Sequence, residues 1–240
     1  MTALVFEEPA QGAPRLPPAR EPGDGPPPAP PGREPILNAP WPALALVALI
    51  VGGYAVQSRF HLQVAAQAFA FAPAMLAEGR WERLFTALFL HGNWAHALMN
   101  GAFALAFGTP VARFFGGRIG GALAFFGFYL ACGALSSLGY AALHPGSQAV
   151  LVGASGAVSG LMGAAARLIA GGGQALGPIL SRPVLGMGGA WVAVNLLIAL
   201  LGQGLTPGAE DASIAWEAHL AGFVAGVLVI QPVAWLARRG

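Results

Sequence analysis

Apolar residues are gathered into six stretches along the chain, and shorter segments rich in Gly, Pro and polar residues separate them. The longer stretches have enough consecutive apolar residues to cross ~30 Å of hydrocarbon as an α-helix. We therefore predict an all-α polytopic membrane protein with six transmembrane helices. The predicted spans, with ends accurate to a few residues, are 41–56, 93–107, 119–143, 150–170, 184–201 and 216–236.

The connection between the first two spans, 59–90, is long and amphipathic. Such a segment is typical of the membrane interface, where an aromatic face meets lipid and a polar face meets water. The second span could also begin earlier, at Leu84. The aromatic residues of this connection are Phe60, Phe69, Phe71, Trp81 and Phe85.

The first 40 residues have a different composition, with twelve of the twenty prolines and no apolar run. Such a segment cannot bury enough surface to fold alone. We predict that 1–40 is a disordered Pro-rich cytoplasmic tail and that 41–240 is the membrane domain. A secretory signal is not expected, because the first apolar run begins only at Trp41.

The overall composition agrees with a membrane protein, since 56% of residues are hydrophobic and 9% are charged. The formal net charge of +2 comes from twelve scattered Arg with no Lys, which makes no nucleic-acid footprint. Cys132 is the only cysteine, so neither an intrachain disulfide nor a Cys-based metal site is available.

The distribution of arginine predicts the orientation of the six spans. With the N-terminus inside, only Arg59, Arg80 and Arg83 lie outside, and the other nine arginines are cytoplasmic. The positive-inside rule therefore favours cytoplasmic N- and C-termini. We expect an integral multi-pass protein of a bacterial inner membrane.

Two of the spans carry small residues at four-residue intervals. Gly156, Gly160 and Ala164 form one such seam, and Gly222 and Gly226 form another. On a helix, residues with this spacing share a face and let a neighbouring backbone approach closely. Packing alone would explain these seams.

Four polar residues make packing an incomplete explanation. His96 and Asn100 lie in the second span, Ser155 in the fourth and His219 in the sixth. These three spans run in the same direction, and at ~1.5 Å per residue the four residues fall in one layer near the outer side. Ionisable groups in apolar spans are costly and are functional candidates by default.

Such a layer contains the groups needed for acyl transfer. Serine needs a base within hydrogen-bonding reach to act as a nucleophile, and the neutral imidazole of His219 suits Ser155. No Asp or Glu lies within spans two to five, so we expect a dyad without a carboxylate that orients the histidine. The side chains of Asn100 and His96 and the backbone N–H of Ser155 could stabilise an oxyanion.

Three motifs occur in order on the second, fourth and sixth spans. They are His-x-x-x-Asn at 96–100, Gly-x-Ser-Gly at 153–156, and Ala-His-x-x-Gly-x-x-x-Gly at 218–226. In these motifs and their order, the sequence from about 41 to 236 resembles the rhomboid-family intramembrane serine proteases.

This resemblance implies a six-helix bundle in which Ser155 is the nucleophile and His219 the general base. His96 and Asn100 would be oxyanion donors, and no cofactor or metal is implied. Supporting roles fall to Gly153, Gly156, His91, Gly222 and Gly226. The implied substrates are transmembrane helices of other membrane proteins, cut near their outer ends, with the site opening to the outer side.

The sequence departs from the family pattern at three places. Glu82 precedes Arg83 where the family has Trp, and Ala112 occupies a position that is acidic in the family. Ser159, one turn after the nucleophile, replaces an aromatic ring that in many relatives packs on the histidine. The sequence does not identify what supports His219 instead.

Two other functions are alternatives to proteolysis. A catalytically silent relative that binds transmembrane helices normally loses Ser or His, and both are present here. A small transporter using His96 and His219 as proton carriers commonly shows internal repeats and charged residues at mid-bilayer, which this sequence lacks. The fifth span and the loop 202–215 are the expected gate for substrate.

Overall fold

The computed structural model of the protein describes residues 38–201 and 215–237. Residues 1–37 of the predicted tail and residues 202–214 of the predicted gate loop therefore lie outside the described residues. Within these ranges the chain forms eight α-helices and two short 3₁₀ turns, Pro73–Leu76 and Ala87–Phe89. The helices are α1 (Trp41–Gln57), α2 (Leu62–Phe69), α3 (Arg83–Thr86), α4 (Trp94–Phe115), α5 (Ile119–Leu143), α6 (Ser155–Ala170), α7 (Arg182–Leu201) and α8 (Trp216–Ala237).

The predicted all-α class is confirmed, and six of these helices correspond to the six predicted spans. Two ends differ clearly from the prediction. α4 continues through Pro110 to Phe115, where Gly116 ends it with a left-handed φ of 90°. α6 begins at Ser155 and not at 150, because the preceding residues form a bridge and a turn.

Three helices are both long and apolar enough to cross a membrane, namely α5, α7 and α8. α1 and α6 are also apolar but shorter, with 17 and 16 residues. α4 has 22 residues but is not among the helices that meet both criteria. The protein is therefore helical with clear membrane-spanning segments, and the number of six spans stays a prediction.

α6 is the central helix of the bundle. Every residue from Gly156 to Leu168 is buried, and α4, α5, α7 and α8 all pack against this helix. A helix that is surrounded in this way presents only its ends to solvent. The first residue of α6 is Ser155, so the predicted nucleophile lies at one of those ends.

The closest helix packing joins α6 to α8 through the two predicted glycine seams. A Cβ atom added to Gly222 would collide with the backbone oxygen of Gly156. One added to Gly226 would collide with the backbone oxygen of Gly160. The two backbones are therefore in direct contact, which glycine alone permits at these positions.

The connection before α4 is attached to the turn before α6. Phe71 and Leu151 form an isolated antiparallel bridge, with backbone N–H to oxygen distances of 3.2 Å and 2.7 Å. Gly153 donates its N–H to the oxygen of Ala87 at 3.0 Å. Phe71 is fully buried, whereas the aromatic residues Phe60, Phe69, Trp81 and Phe85 are exposed, as expected for an interfacial segment. These bonds fix the position at which α6 begins.

Arg83 holds the same connection from the other side. Its guanidinium donates to the backbone oxygen of Gln67 at 3.1 Å and to a carboxylate oxygen of Glu82 at 3.3 Å. The Arg83 side chain is buried, whereas Glu82 is exposed. Glu82, which departs from the family pattern, thus contributes a surface partner to this arginine.

The glycine contact generates a first prediction. Gly226→Ala should lower the free energy of unfolding by about 1–3 kcal/mol, because the added methyl group must separate α6 from α8. Gly127→Ala in α5 is the matched control, since a Cβ there meets no atom within 4 Å. The measurement is reversible unfolding in mixed micelles. Equal stability of the two variants would contradict direct backbone contact at Gly226.

Candidate active site

The side chains of Ser155 and His219 form a hydrogen-bonded pair. Ser155 Oγ lies 2.8 Å from His219 Nε2, although 64 residues separate the two in sequence. Both side chains are partly exposed. Their proximity follows from the α6–α8 contact, since Gly156 follows Ser155 directly and Gly222 lies one helical turn after His219. The structure therefore brings the two predicted residues together in a geometry that permits proton transfer.

Ser155 is the first residue of α6, and this position gives it free backbone donors nearby. The first N–H groups of a helix have no partner within that helix. Gly153 makes the turn possible with a φ of 119°, a left-handed value that side chains disfavour. The predicted use of the Ser155 N–H as a donor is thus compatible with the local backbone.

His96 is held beside this turn by the start of α4. The Asn93 side chain caps the helix by accepting from the His96 N–H at 2.8 Å. A Cβ added to Gly153 would lie 2.8 Å from His96 Nε2 and 3.8 Å from Ser155 Oγ, so both atoms border the same small space. The Gly92 N–H points to His96 Nδ1 at 3.5 Å. An acceptor role for Nδ1 places the proton on Nε2, which faces that space.

Asn100 is buried one helical turn after His96. Its amide nitrogen donates to the backbone oxygen of His96 at 2.9 Å. An amide nitrogen carries two hydrogens, so one remains for another acceptor. Asn100 is therefore linked to the His96 segment, and no bond joins it directly to Ser155.

His91 lies just before α4, and its ring is fully buried. Both ring nitrogens lack a hydrogen-bond partner, and the ring packs edge-on against His96 with centroids 5.1 Å apart. The backbone anchors this residue, because Gln57 accepts from its N–H at 2.9 Å and donates to its oxygen at 2.7 Å. Burial, and then the nearby His96, lower the pKa of His91 to about 3.

Two residues of α7 support His219, and the sequence did not identify this role. Asn195 Oδ1 lies 2.7 Å from His219 Nδ1, and the Trp191 ring packs against the imidazole with centroids 5.8 Å apart and planes tilted by 36°. Ser159 does not take this part, because its hydroxyl donates to the backbone oxygen of Ser155 at 2.7 Å. The only sequence signal for Asn195 was an amide within an apolar span.

Ser136 is another contributor that the sequence did not reveal. Its buried hydroxyl donates to the backbone oxygen of Ala218 at 2.6 Å, and a Cβ on Gly156 would collide with the same hydroxyl. α5 therefore fixes the backbone immediately before His219. The sequence gives no sign of this contact, because Ser136 is a small residue in an apolar span and its partner is a backbone oxygen.

The donor side chains near the site do not form a metal-ligand set in the described part of the chain. Within 38–201 and 215–237, no three His, Cys, Asp or Glu side chains come together in a group that could hold a metal ion. Cys132 is buried against Gly160. His91 and His96 are neighbours, but His219 uses both ring nitrogens in bonds to Asn195 and Ser155.

Comparison with known families identifies the family to which the chain belongs. A sequence model of the Rhomboid domain matches residues 78–235, which include α3 to most of α8 and all four predicted polar site residues. The chain therefore belongs to the rhomboid family, and it is an integral membrane protein. The match is narrower than the predicted 41–236, because it leaves out α1 and α2. No curated protein sequence matches the chain at a significant level.

The buried ring of His91 generates a second prediction. The folded protein keeps this ring neutral to about pH 3, whereas the unfolded chain takes up a proton below about pH 6.5. Stability is therefore lost as the pH falls through this window. Between pH 7 and pH 5, wild-type protein should lose about 2 kcal/mol more than His91→Leu.

The control for this prediction is His61→Leu, because His61 is exposed. Its pH dependence should follow the wild type. The measurement is the free energy of unfolding in mixed micelles at both pH values. The same pH dependence in His91→Leu and His61→Leu would refute the assignment of a neutral buried His91.

Proposed function

We propose that this protein is an intramembrane serine endopeptidase that hydrolyses peptide bonds in or near transmembrane segments of other membrane proteins. The observation that carries the proposal is the 2.8 Å contact between Ser155 Oγ and His219 Nε2 at the first residue of α6. Membership of the rhomboid family adds to it, because members of this family are typically intramembrane serine proteases.

The reaction begins with nucleophilic attack by Ser155. Its Oγ forms a bond to the carbonyl carbon of the scissile peptide while its proton passes to Nε2 of His219. The carbonyl π electrons move to oxygen, which gives a tetrahedral intermediate with an oxyanion. The 2.8 Å separation of the two atoms is within reach for this transfer.

The oxyanion is stabilised by donors fixed before the reaction begins. Those proposed are His96 Nε2, the remaining hydrogen of the Asn100 amide and the backbone N–H of Ser155. Support comes from the position of His96 Nε2 and Ser155 Oγ around the same space beside Gly153. Donors that already point at the oxyanion need no reorientation during the reaction. Their electrostatic stabilisation is often the largest single contribution to catalysis.

Collapse of the intermediate completes the first half-reaction. The imidazolium of His219 gives its proton to the leaving amine, the C–N bond breaks and an acyl-Ser155 ester remains. Water then attacks the ester carbonyl, giving its proton to His219, which returns a proton to Ser155 Oγ as the ester breaks. The products are a carboxylic acid and an amine, with the dyad restored.

The proposed substrate and location follow from the site's depth. Ser155 and His219 lie in the first turn of α6 and α8, and Asn100 in the second turn of α4. A transmembrane helix would be cut near one of its ends, where water reaches the partly exposed dyad. The arginine distribution favours the outer side for this end, with both termini cytoplasmic, and the proposed location is a bacterial inner membrane.

Replacement of either member of the dyad should abolish turnover to a similar extent, because the two residues act as one unit. Ser155→Ala and His219→Ala are compared with Ser159→Ala, whose hydroxyl bonds only to the Ser155 backbone. The assay is cleavage of a single-span substrate in liposomes, with fluorophosphonate labelling of the serine. Wild type and Ser159→Ala should cleave and be labelled, and the two dyad variants should not cleave.

Cleavage by Ser155→Ala at the wild-type rate would remove the proposed mechanism. A folded wild-type protein that binds substrate helices without cleavage or labelling would instead be a catalytically silent member of the family. Binding is followed by fluorescence energy transfer between the labelled protein and the substrate helix.

Oxyanion stabilisation predicts a loss of kcat and little change in KM. Removal of one such donor typically costs roughly 10²–10³-fold in kcat, so His96→Ala and Asn100→Ala should each approach that loss. Thr109→Val is the matched control in α4, because the Thr109 hydroxyl bonds to its own helix at Leu105. Unchanged kcat in both site variants would assign the oxyanion to backbone donors alone.

A further inference from the structure

Asn195 is a buried polar residue on a helix that is otherwise poorly buried. Only 11% of the apolar stretch of α7 is buried, against 44% for α5 and 39% for α8. Asn195 itself is 1% exposed, while Leu196 and Leu197 beside it are exposed. An amide buried in an apolar span is costly unless its polar atoms are bonded. Its burial therefore requires an explanation in terms of partners.

Both ends of the Asn195 amide have partners. Its nitrogen donates to the backbone oxygen of Trp191 at 2.8 Å, and its oxygen lies 2.7 Å from His219 Nδ1. The two bonds fix the orientation of the amide. A flipped amide would place its oxygen against the carbonyl oxygen of Trp191, where neither atom can donate.

This orientation determines the tautomer of His219. The amide oxygen of Asn195 can only accept, so Nδ1 of His219 must carry a hydrogen. In the neutral ring the lone pair is then on Nε2, which faces Ser155 Oγ at 2.8 Å. That tautomer is the one that can take the serine proton.

We infer that Asn195 is the positioning residue of the dyad: it holds His219 in the tautomer and orientation that accept the proton of Ser155. The inference rests on the proposed serine protease function and deepens it. Asn195 acts through His219 and does not touch the scissile bond. It takes the place of the orienting group whose absence the sequence suggested, and it comes from α7, a helix that carries neither member of the dyad.

Other charged and titratable groups around His219 also influence its protonation, and they belong to several helices. α4 contributes His96, which interacts electrostatically with His219, and α6 contributes Ser155. On α8, Glu217 pairs with His144 at the end of α5 at 3.2 Å. In the described α7 the only charged residue is Arg182, thirteen positions from Asn195 and so ~20 Å away along the helix.

The test compares Asn195→Leu with Asn195→Asp by kcat, KM and the pH profile of kcat/KM. Leu keeps the volume but offers no acceptor, so kcat should fall at least ~10-fold while KM changes less than ~2-fold. Asp keeps the acceptor and adds negative charge, which favours the imidazolium of His219. The acid limb of the kcat/KM profile of Asn195→Asp should therefore move to higher pH by roughly one unit. The acid limb of Asn195→Leu should move to lower pH, because the acceptor that stabilises the imidazolium is lost. A role in packing alone would not shift the two limbs in opposite directions.

Val194→Ala is the control on α7, because Val194 is exposed and should leave all three quantities unchanged. If Asn195→Leu does not fold, the shift of the acid limb in Asn195→Asp tests the inference by itself. Wild-type kcat in a folded Asn195→Leu, or the wild-type pH profile in Asn195→Asp, would overturn the inference and leave Ser155-dependent cleavage intact. Loss of Ser155 dependence in the wild-type enzyme would overturn the proposed function and the inference together.

Discussion

Direct backbone contact between α6 and α8 is the constraint on which the rest of the structure depends. Gly222 faces the backbone of Gly156, and Gly226 faces that of Gly160. Side chains at these positions would separate the helices by more than a hydrogen bond tolerates. Because Ser155 and His219 lie immediately beside this contact, the same packing that stabilises the bundle sets the 2.8 Å distance between their side chains.

The turn before α6 adds a second constraint, which is carried by the backbone. Gly153 adopts a left-handed φ, donates to Ala87 and leaves room for the His96 ring. One glycine thus exposes the N–H groups at the start of α6 and admits the neighbouring imidazole. The bridge between Phe71 and Leu151 holds this turn against the interfacial connection. The proposed oxyanion site therefore depends on contacts between segments that are distant in sequence.

The hydropathy pattern of the sequence predicted the helix bounds well where a helix begins and ends at the limits of an apolar stretch. The bounds of α5 match the predicted 119–143, because Arg118 and His144 flank a largely apolar run without charged residues. The start of α6 was predicted too early, because Leu151 is apolar but pairs with Phe71 in another segment. Hydropathy does not report pairing between residues 80 positions apart. The common level of Ser155 and His219, each in the first turn of its helix, was still predictable, since it needs only helix direction and rise per residue.

The Asn195–His219 bond could not be predicted for a different reason. It depends on the rotation of α7 about its axis and on the angle at which α7 meets α8, and apolar composition fixes neither. In the sequence Asn195 is an amide in an apolar span, which indicates a hydrogen bond to another helix but does not identify the partner. The structure shows that bond, to His219, and also a second one, to Trp191 of its own helix.

The origin of the support for His219 has a physical consequence for the dyad. In relatives with an aromatic ring one turn after the serine, nucleophile and support belong to the same helix. Here Ser159 bonds to its own backbone, and Trp191 and Asn195 supply the support from α7. Ser155 is held by the buried α6, whereas the tautomer of His219 depends on the least buried of the three long apolar helices. A displacement of α7 would therefore release His219, the proposed base, while leaving Ser155, the proposed nucleophile, in place, so the proposed activity is coupled to the docking of that one helix.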